Sequence, residues 1–309
     1  MERWDRVGSW AAYGAAWALT PYALVKVAWV VLAILGVAPI GAGFDVLGWV
    51  LLNLVTIGMA ALGIVLALAL VRPWGMRIPG RPLAFCAWTG AGFLVSVLPY
   101  SVLSAVLRSP GASGGPSGGG GPAMPGWEAV LIQCSFVGTG VGLAVALPAY
   151  ARRRRPELFA GRVGDAAVRT GVVWPAAVGA VVGAVWLYWA LGGSWGIDHP
   201  ARWNTDGYLL TSLGAFWALV GSAAVRTLER ARPARLPRRI PLALGWLGSG
   251  SLFTWSAWKL VLTVFAAPAA PADALVPENL AVAGVLHCAA VLAGAGMAWR
   301  LVRSRPAVA

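Results

Sequence analysis

Eight mostly apolar segments of about 20 or more residues run along the 309-residue chain, and each is long enough to cross a hydrocarbon core about 30 Å thick. They use Leu, Ala, Val and Gly without the alternation of a β-strand, which favours helices over a β-barrel. Only 11% of the residues are charged, against about 25% in a soluble domain. The sequence therefore predicts an all-α fold, a polytopic membrane helix bundle of about eight transmembrane helices. The predicted helices cover about residues 10–36, 47–71, 83–107, 128–151, 170–191, 207–227, 241–267 and 278–301.

The basic residues indicate how these helices are oriented. With eight spans, 20 of the 24 Lys and Arg residues share one side of the membrane, and of the others only Arg108 and Arg202 lie in loops on the opposite side. This positive-inside pattern predicts a multi-pass protein of the plasma (inner) membrane with both termini in the cytoplasm. Its basic loops are expected to contact anionic lipid headgroups. The arrangement of the charges, despite a net charge of +13, argues against a nucleic-acid partner.

One loop divides the predicted membrane domain. Residues 109–126 form a Gly/Pro/Ser-rich stretch that cannot bury a core, and we expect a disordered extracytoplasmic loop there. Residues 1–108 then hold helices 1–3 and residues 127–309 hold helices 4–8 of a single domain. Short similarities among residues 21–26, 99–104 and 254–259 indicate four helical hairpin repeats in the same orientation. Transporters often contain such repeats, but so do inert scaffolds.

The two lysines of the chain, Lys26 and Lys259, both fall inside predicted spans. By residue count each lies about 4–8 Å to the outer side of the middle of its span, where a charge is costly. Both helices run outward, so the side chains lean towards the membrane centre, which favours a polar cavity. No acidic residue lies at their depth, so we expect neutral lysines or an anionic ligand or lipid headgroup as partner. The alternative is contact with carbonyls, Tyr and water, or with Asp45 or Asp206 reaching in.

Polar and aromatic residues at similar depth complete a predicted ligand-binding site. The inner halves of the even-numbered helices are nearly free of polar residues, so the pocket is expected to open outward and to be closed below. A lone histidine within a helix, such as His287, is more often a packing or hydrogen-bonding residue than a ligand-binding one. Trp255 and Trp258 are either core residues or an aromatic wall that contacts the ligand. The candidate ligand-binding residues are Lys26, Lys259, Asn53, Gln133, His287, Tyr22, Tyr100, Trp255 and Trp258.

The sequence identifies no catalytic residue, and we expect neither a cofactor nor a metal ion. Cys86, Cys134 and Cys288 are widely spaced and form no CxxC motif, which argues against a disulfide framework or a Cys-rich metal site. Asp198 and His199 are adjacent, but one such pair is neither a catalytic triad nor a metal site.

Two short stretches, PYALVK at 21–26 and YWALGG at 188–193, resemble segments of multi-pass membrane proteins of high-GC actinobacteria that have no assigned activity. The composition, rich in Ala, Gly, Arg and Trp, is similar as well. The resemblance implies a plasma-membrane location and no particular activity.

We therefore expect a permease-like or ligand-binding protein for a small anionic or amphipathic molecule that enters an outward-facing polar pocket. One alternative is a membrane-embedded enzyme acting on a lipid or isoprenoid substrate. The lack of a carboxylate pair or metal cluster within the predicted spans weighs against an enzyme. The other alternative is an accessory or structural membrane subunit, in which both lysines would be replaceable.

Overall fold

The computed structural model describes residues 3–37, 45–107, 126–154, 156–158, 160–165, 174–265 and 277–303. These residues form an all-helical structure, as predicted, whereas the predicted disordered loop lies outside them except for Gly126. The helices are α1 (Arg3–Ile34), α2 (Val46–Ala69), α3 (Pro73–Arg77), α4 (Gly80–Leu107), α5 (Gly126–Arg154), α6 (Trp174–Ala190), α7 (Thr205–Arg230), α8 (Arg239–Phe265) and α9 (Leu280–Arg303).

Among the described residues, six helices are long and apolar enough to cross a membrane: α1, α2, α4, α5, α7 and α9. The apolar helix α6 is shorter, with 17 residues. Helix ends differ from the predicted ones because hydropathy marks the apolar part of a helix rather than its end; α1, for example, begins at Arg3. The short helix α3 was not predicted, and it begins with Pro73, whose fixed φ suits the first turn of a helix.

The chain forms two compact units, and unit 1 comprises Met1–Ala87 and Ala105–Arg154. In unit 1, α1 packs against both α5 and α2. A Cβ at Gly142 of α5 would lie 2.6 Å from the carbonyl oxygen of Ala11, so only a glycine allows this approach of the two backbones. On the other side of α1, Trp29 stacks on Trp49 of α2 with ring centroids 5.7 Å apart.

Two arginines at the end of α5 hold the segment between α2 and α4. Arg153 donates a hydrogen bond of 2.6 Å to the carbonyl of Leu70. Arg154 donates to the carbonyl of Ile78 at 2.8 Å and to that of Gly75 at 3.4 Å. The carbonyls at and beyond the end of α2 lack partners within that helix, so these arginines stabilise the connection as well as providing positive charge.

Unit 2 comprises Trp88–Ser104 and Arg155–Ala309. Helices α6 to α9 form an antiparallel bundle in which α7 lies against α6 and α8, and α9 lies against α8 and α6. Contacts pair Gly221 of α7 with Gly248 of α8, and Ser249 of α8 with Gly294 of α9. Gly245, earlier in α8, contacts Val225 and Leu301, which come later in α7 and α9, so α8 runs in the opposite direction to both of its neighbours.

The segment Gly248–Ser251 of α8 is the point where three helices contact α8 most closely. A Cβ on Gly221 of α7 would lie 2.8 Å from the Cα of Gly248, and one on Gly92 of α4 would lie 2.1 Å from the carbonyl carbon of Gly250. Ser251 shares a hydrogen bond of 2.8 Å with Ser96 of α4. Small residues thus let backbones approach, and the hydroxyls join the helices.

The two ends of unit 2 differ in charge. The Arg-rich end holds the last turns of α7 and α9 and the start of α8, where Arg300 lies 3.4 Å from Glu229. In the loop before α8, Arg238 is buried, and burial lowers the pKa of its guanidinium below the usual value. The opposite, Arg-poor end holds the last turns of α6 and α8 and the starts of α7 and α9.

Candidate functional site

Ser256 and Lys259 of α8 and His287 of α9 lie towards the Arg-poor end of unit 2. Ser256 of α8 and His287 of α9 share a hydrogen bond of 3.2 Å between Oγ and Nδ1, and both side chains are buried. The ring of Trp186 from α6 lies 5.8 Å from the imidazole, centroid to centroid. His287 is therefore held between α6 and α8 by packing and by one hydrogen bond.

Lys259 lies one turn after Ser256, and its partner is a carboxylate. The Nζ atom of Lys259 lies 3.8 Å from Oε1 of Glu278, and the two side chains are 24% and 10% exposed. A carboxylate from outside the predicted span therefore reaches this lysine, as in the alternative that named Asp45 or Asp206, but the residue is Glu278. Glu278 precedes the first residue of α9, and its side chain reaches the lysine from the segment outside the helix.

The ion pair of Lys259 and Glu278 leaves hydrogen-bonding capacity unused. Its 3.8 Å separation exceeds the usual length of an N–H···O hydrogen bond. Among the residues that the structure describes, no donor reaches the buried Oε2 of Glu278. A buried carboxylate that lacks hydrogen bonds is costly, so this oxygen is suited to accept a bond from a further group.

A folded loop covers the Arg-poor end of unit 2. This loop cap consists of residues 191–204, which pair with residues 277–279. The amides of Asp198 and His199 donate to the carbonyl of Pro277 at 3.0 and 3.1 Å, and the amide of Asn279 donates to the carbonyl of Gly196 at 3.0 Å. Glu278 pairs with Ile197 in this arrangement, so its backbone lies against the loop cap.

The start of the loop cap is determined by the end of α6. Gly192 has φ +94°, a conformation that favours glycine. The amide of Gly193 then donates to the carbonyl of Tyr188 at 2.9 Å, and that of Gly192 donates to the carbonyl of Trp189 at 3.0 Å. The helix therefore ends with its carbonyls satisfied, and the chain turns back over the bundle.

Aromatic rings fill the space beneath the loop cap. Trp189 donates from Nε1 to the carbonyl of Trp195 at 2.7 Å. The ring of Trp203 lies 6.0 Å from that of Trp189 and 6.1 Å from that of Tyr208. The Nε1 of Trp203 is buried and reaches no acceptor within the described part of the chain. The Arg-poor end thus holds a second buried polar atom without a hydrogen bond.

The remaining candidates of unit 2 differ in how exposed their side chains are. Trp255 lies one turn before Lys259 on α8 and is half-buried, whereas Trp258 is exposed. Tyr100 is half-buried on α4. Spacing on α8 places Trp255, Ser256 and Lys259 on one face, so an aromatic and two polar side chains share that face.

The other four candidates belong to unit 1. Lys26 lies over the ring of Trp29, with Nζ 3.9 Å from its centroid, and 5.8 Å from that of Tyr22. Asn53 is buried and donates from Nδ2 to the carbonyl of Trp49 in its own helix at 2.8 Å, while Gln133 is half-buried on α5. A common pocket that includes all nine candidates stays a prediction.

Sequence reasoning missed three contributors to the cluster in unit 2. Glu278 stands just before α9, and its approach to Lys259 depends on how the backbone of residues 277–279 pairs with the loop cap. Ser256 stands three residues before Lys259 in the sequence, a spacing that places both on one helix face. The loop cap depends on backbone hydrogen bonds between distant segments, which composition does not indicate.

The cluster contains the groups for binding or proton transfer rather than for metal coordination. Over the described ranges, no group of three or more His, Cys, Asp or Glu side chains could hold a metal ion. Lys259 and Glu278 carry opposite charges, and Ser256 and His287 supply a hydroxyl and an imidazole. These groups can orient a charged or hydrogen-bonding molecule.

Comparison with known proteins adds no assignment: no protein-family model, no curated protein and no solved structure matches the chain.

Proposed function

We propose that the protein is a multi-pass plasma-membrane protein in which α6 and α8 also cross the bilayer, giving eight spans in four hairpins. The support is that both helices pack within one bundle with α7 and α9, which are themselves long and apolar enough to span. By the positive-inside rule the Arg-rich end then faces the cytoplasm, with both termini, and contacts anionic lipid. The loop cap faces the outside.

Within this frame, we propose a permease-like or ligand-binding protein for a small anionic or amphipathic molecule that enters from the Arg-poor end. The observation that carries the proposal is the partly buried ion pair of Lys259 and Glu278, in which the carboxylate atom Oε2 is buried and has no donor among the described residues. Apolar residues in place of a buried ion pair are often neutral or stabilising, so charged groups inside a span indicate a function by default. Lys259 supplies the positive charge for the ligand.

The neighbouring groups of the cluster suit a binding site. Ser256 and His287 offer hydrogen bonds one turn from Lys259, and Trp255 offers an apolar surface on the same face. The loop cap lies across the route from the Arg-poor end and carries the backbone of Glu278. Movement of the loop cap together with residues 277–279 would open the site and separate the ion pair in one step, which is how an outer gate would operate.

Solute uptake into proteoliposomes tests the proposal. Vesicles holding the full-length protein are incubated with a mixture of small carboxylates, amines and zwitterions, and their contents are identified by mass spectrometry. We expect selective accumulation that is lost in Lys259→Met and kept in Ser212→Ala, because the Ser212 hydroxyl is exposed and bonds only the carbonyl of Tyr208 among its described neighbours. Equal contents in all three would favour the accessory-subunit alternative.

The Ser256–His287 pair favours a second candidate, a membrane-embedded enzyme acting on a lipid or isoprenoid substrate. A hydroxyl 3.2 Å from an imidazole nitrogen has the geometry for general-base activation. The test is lipid composition of the proteoliposomes after incubation. A new lipid species that disappears in His287→Gln would support this candidate, and unchanged lipids in both samples would contradict it.

A further inference from the structure

We infer that the ligand of this site is an amphipathic zwitterion, a molecule that carries an ammonium group and a carboxylate or phosphate on an apolar body. The inference rests on the proposed function and names the substrate class of the same site. Its basis is the pairing of one positive and one negative side chain, Lys259 and Glu278, at the end of unit 2 that the loop cap covers.

Charge balance distinguishes a zwitterion from a simple anion. Lys259 and Glu278 together are neutral, and the glutamate side chain is 10% exposed. A monoanion bound beside both would leave one net negative charge in a largely dehydrated region, which is unfavourable. A zwitterion adds no net charge, because its anionic group faces Lys259 while its ammonium group faces Glu278.

The geometry of the pair leaves bonding capacity on both partners. The lysine ammonium has three donors, and its distance of 3.8 Å from Oε1 is too long for a strong hydrogen bond. The Oε2 atom of Glu278 is buried and has no donor among the described residues. A ligand ammonium would supply that donor, and a ligand carboxylate or phosphate would accept from Nζ, so both groups exchange one long contact for charge-assisted hydrogen bonds.

The apolar body of the ligand has an aromatic surface to contact. Trp255 lies on the same face of α8 as Lys259, and Trp189 and Trp203 pack together at the same end of the unit. Free amino acids and the phosphoethanolamine headgroup of a lipid share this chemistry.

A matched set of probes tests the inference on the full-length protein in lipid discs. L-Phenylalanine carries both charges, 3-phenylpropionate lacks the ammonium group, and phenethylamine lacks the carboxylate. Binding is measured by equilibrium dialysis in discs of phosphatidylcholine. We expect phenylalanine to bind about tenfold or more tightly than either half-molecule. Lys259→Met and Glu278→Gln should each abolish this preference, and Ser212→Ala, which removes an exposed hydroxyl on α7, should not change it.

A second arm distinguishes the lipid source from the free solute. Discs of mixed phosphatidylethanolamine and phosphatidylglycerol are prepared, and native mass spectrometry identifies the lipids retained by the protein. Retention of phosphatidylethanolamine that is lost in Lys259→Met and Glu278→Gln, without phenylalanine binding, supports the inference with a lipid headgroup as ligand. Tighter binding of 3-phenylpropionate than of phenylalanine overturns the inference and leaves the proposed anion site. Binding of no probe and no lipid preference overturns both.

Discussion

Replacement of Gly92 by alanine tests the helix contacts that position the site. An added Cβ at this residue of α4 would lie 2.1 Å from the carbonyl carbon and 2.4 Å from the carbonyl oxygen of Gly250. Both obstructing atoms belong to the backbone of α8, so no side-chain rotation relieves the clash. The two helices must separate by more than 1 Å to reach the ordinary contact distance of 3.4 Å.

The magnitude follows from the contacts that this separation disturbs. Overpacking in a well-packed interior costs about 1–3 kcal/mol. Hydrogen bonds between α4 and α8 surround the crossing: Trp88 to Ser249 at 3.1 Å, and Ser96 with Ser251 at 2.8 Å. Interhelical hydrogen bonds in membrane proteins contribute on average about 0.6 kcal/mol each. We therefore expect Gly92→Ala to reduce the free energy of unfolding by about 2–4 kcal/mol.

Unfolding by SDS titration in mixed micelles, followed by circular dichroism, measures this change. The matched control is Gly90→Ala, because Gly90 lies in the same helix and a Cβ there would meet no atom within 4 Å. Gly90→Ala should leave the midpoint unchanged or raise it, since alanine favours helices. Equal midpoints for Gly92→Ala and the wild-type protein would refute the close crossing of α4 and α8.

Two further substitutions test other contacts by the same assay. Arg154→Gln removes the hydrogen bonds to the carbonyls of Ile78 and Gly75 and should lower the free energy of unfolding by about 1–3 kcal/mol. Its control, Arg77→Gln, is at an exposed position and should change that free energy by less than about 0.5 kcal/mol. Equal losses in the two variants would show that the positive charge matters rather than these hydrogen bonds. Ser256→Ala removes the described hydrogen-bond partner of the buried His287 and should lower the free energy of unfolding by about 1–3 kcal/mol. Ser212→Ala should leave this free energy nearly unchanged. An unchanged free energy of unfolding in Ser256→Ala would refute the contact between Ser256 and His287.

Hydropathy predicted the helices well and their surroundings poorly. Within the described residues each predicted apolar stretch overlaps one α-helix, and six of these helices are long and apolar enough to cross a membrane. Such stretches are expected to be helical because the backbone must be satisfied within lipid. The additional helix α3 and the roles of Arg153 and Arg154 were not predictable in this way. They depend on which carbonyls the chain leaves unbonded after α2, and the sequence carries no periodic signal for such contacts.

For the candidate site, too, the sequence predicted some features and not others. The sequence predicts that Lys259 lies in the outer half of a span, a depth that stays a prediction, and the structure places a carboxylate beside this lysine. The identity of its partner did not follow, because Glu278 lies outside the helix and reaches inward. Pairing between the loop cap and residues 277–279 brings that carboxylate to the lysine, and such long-range pairing is set by tertiary structure.

The central claim, that Lys259 holds a small molecule at the Arg-poor end of unit 2, is tested most directly by identifying what the protein retains. The full-length protein is purified in native lipid discs, and mass spectrometry compares the bound small molecules and lipids of the wild type, Lys259→Met and Ser212→Ala. We predict a species carrying an ammonium and an anionic group that is present in the wild type and Ser212→Ala and absent from Lys259→Met. Identical contents in all three samples, with equal stability, would contradict the claim.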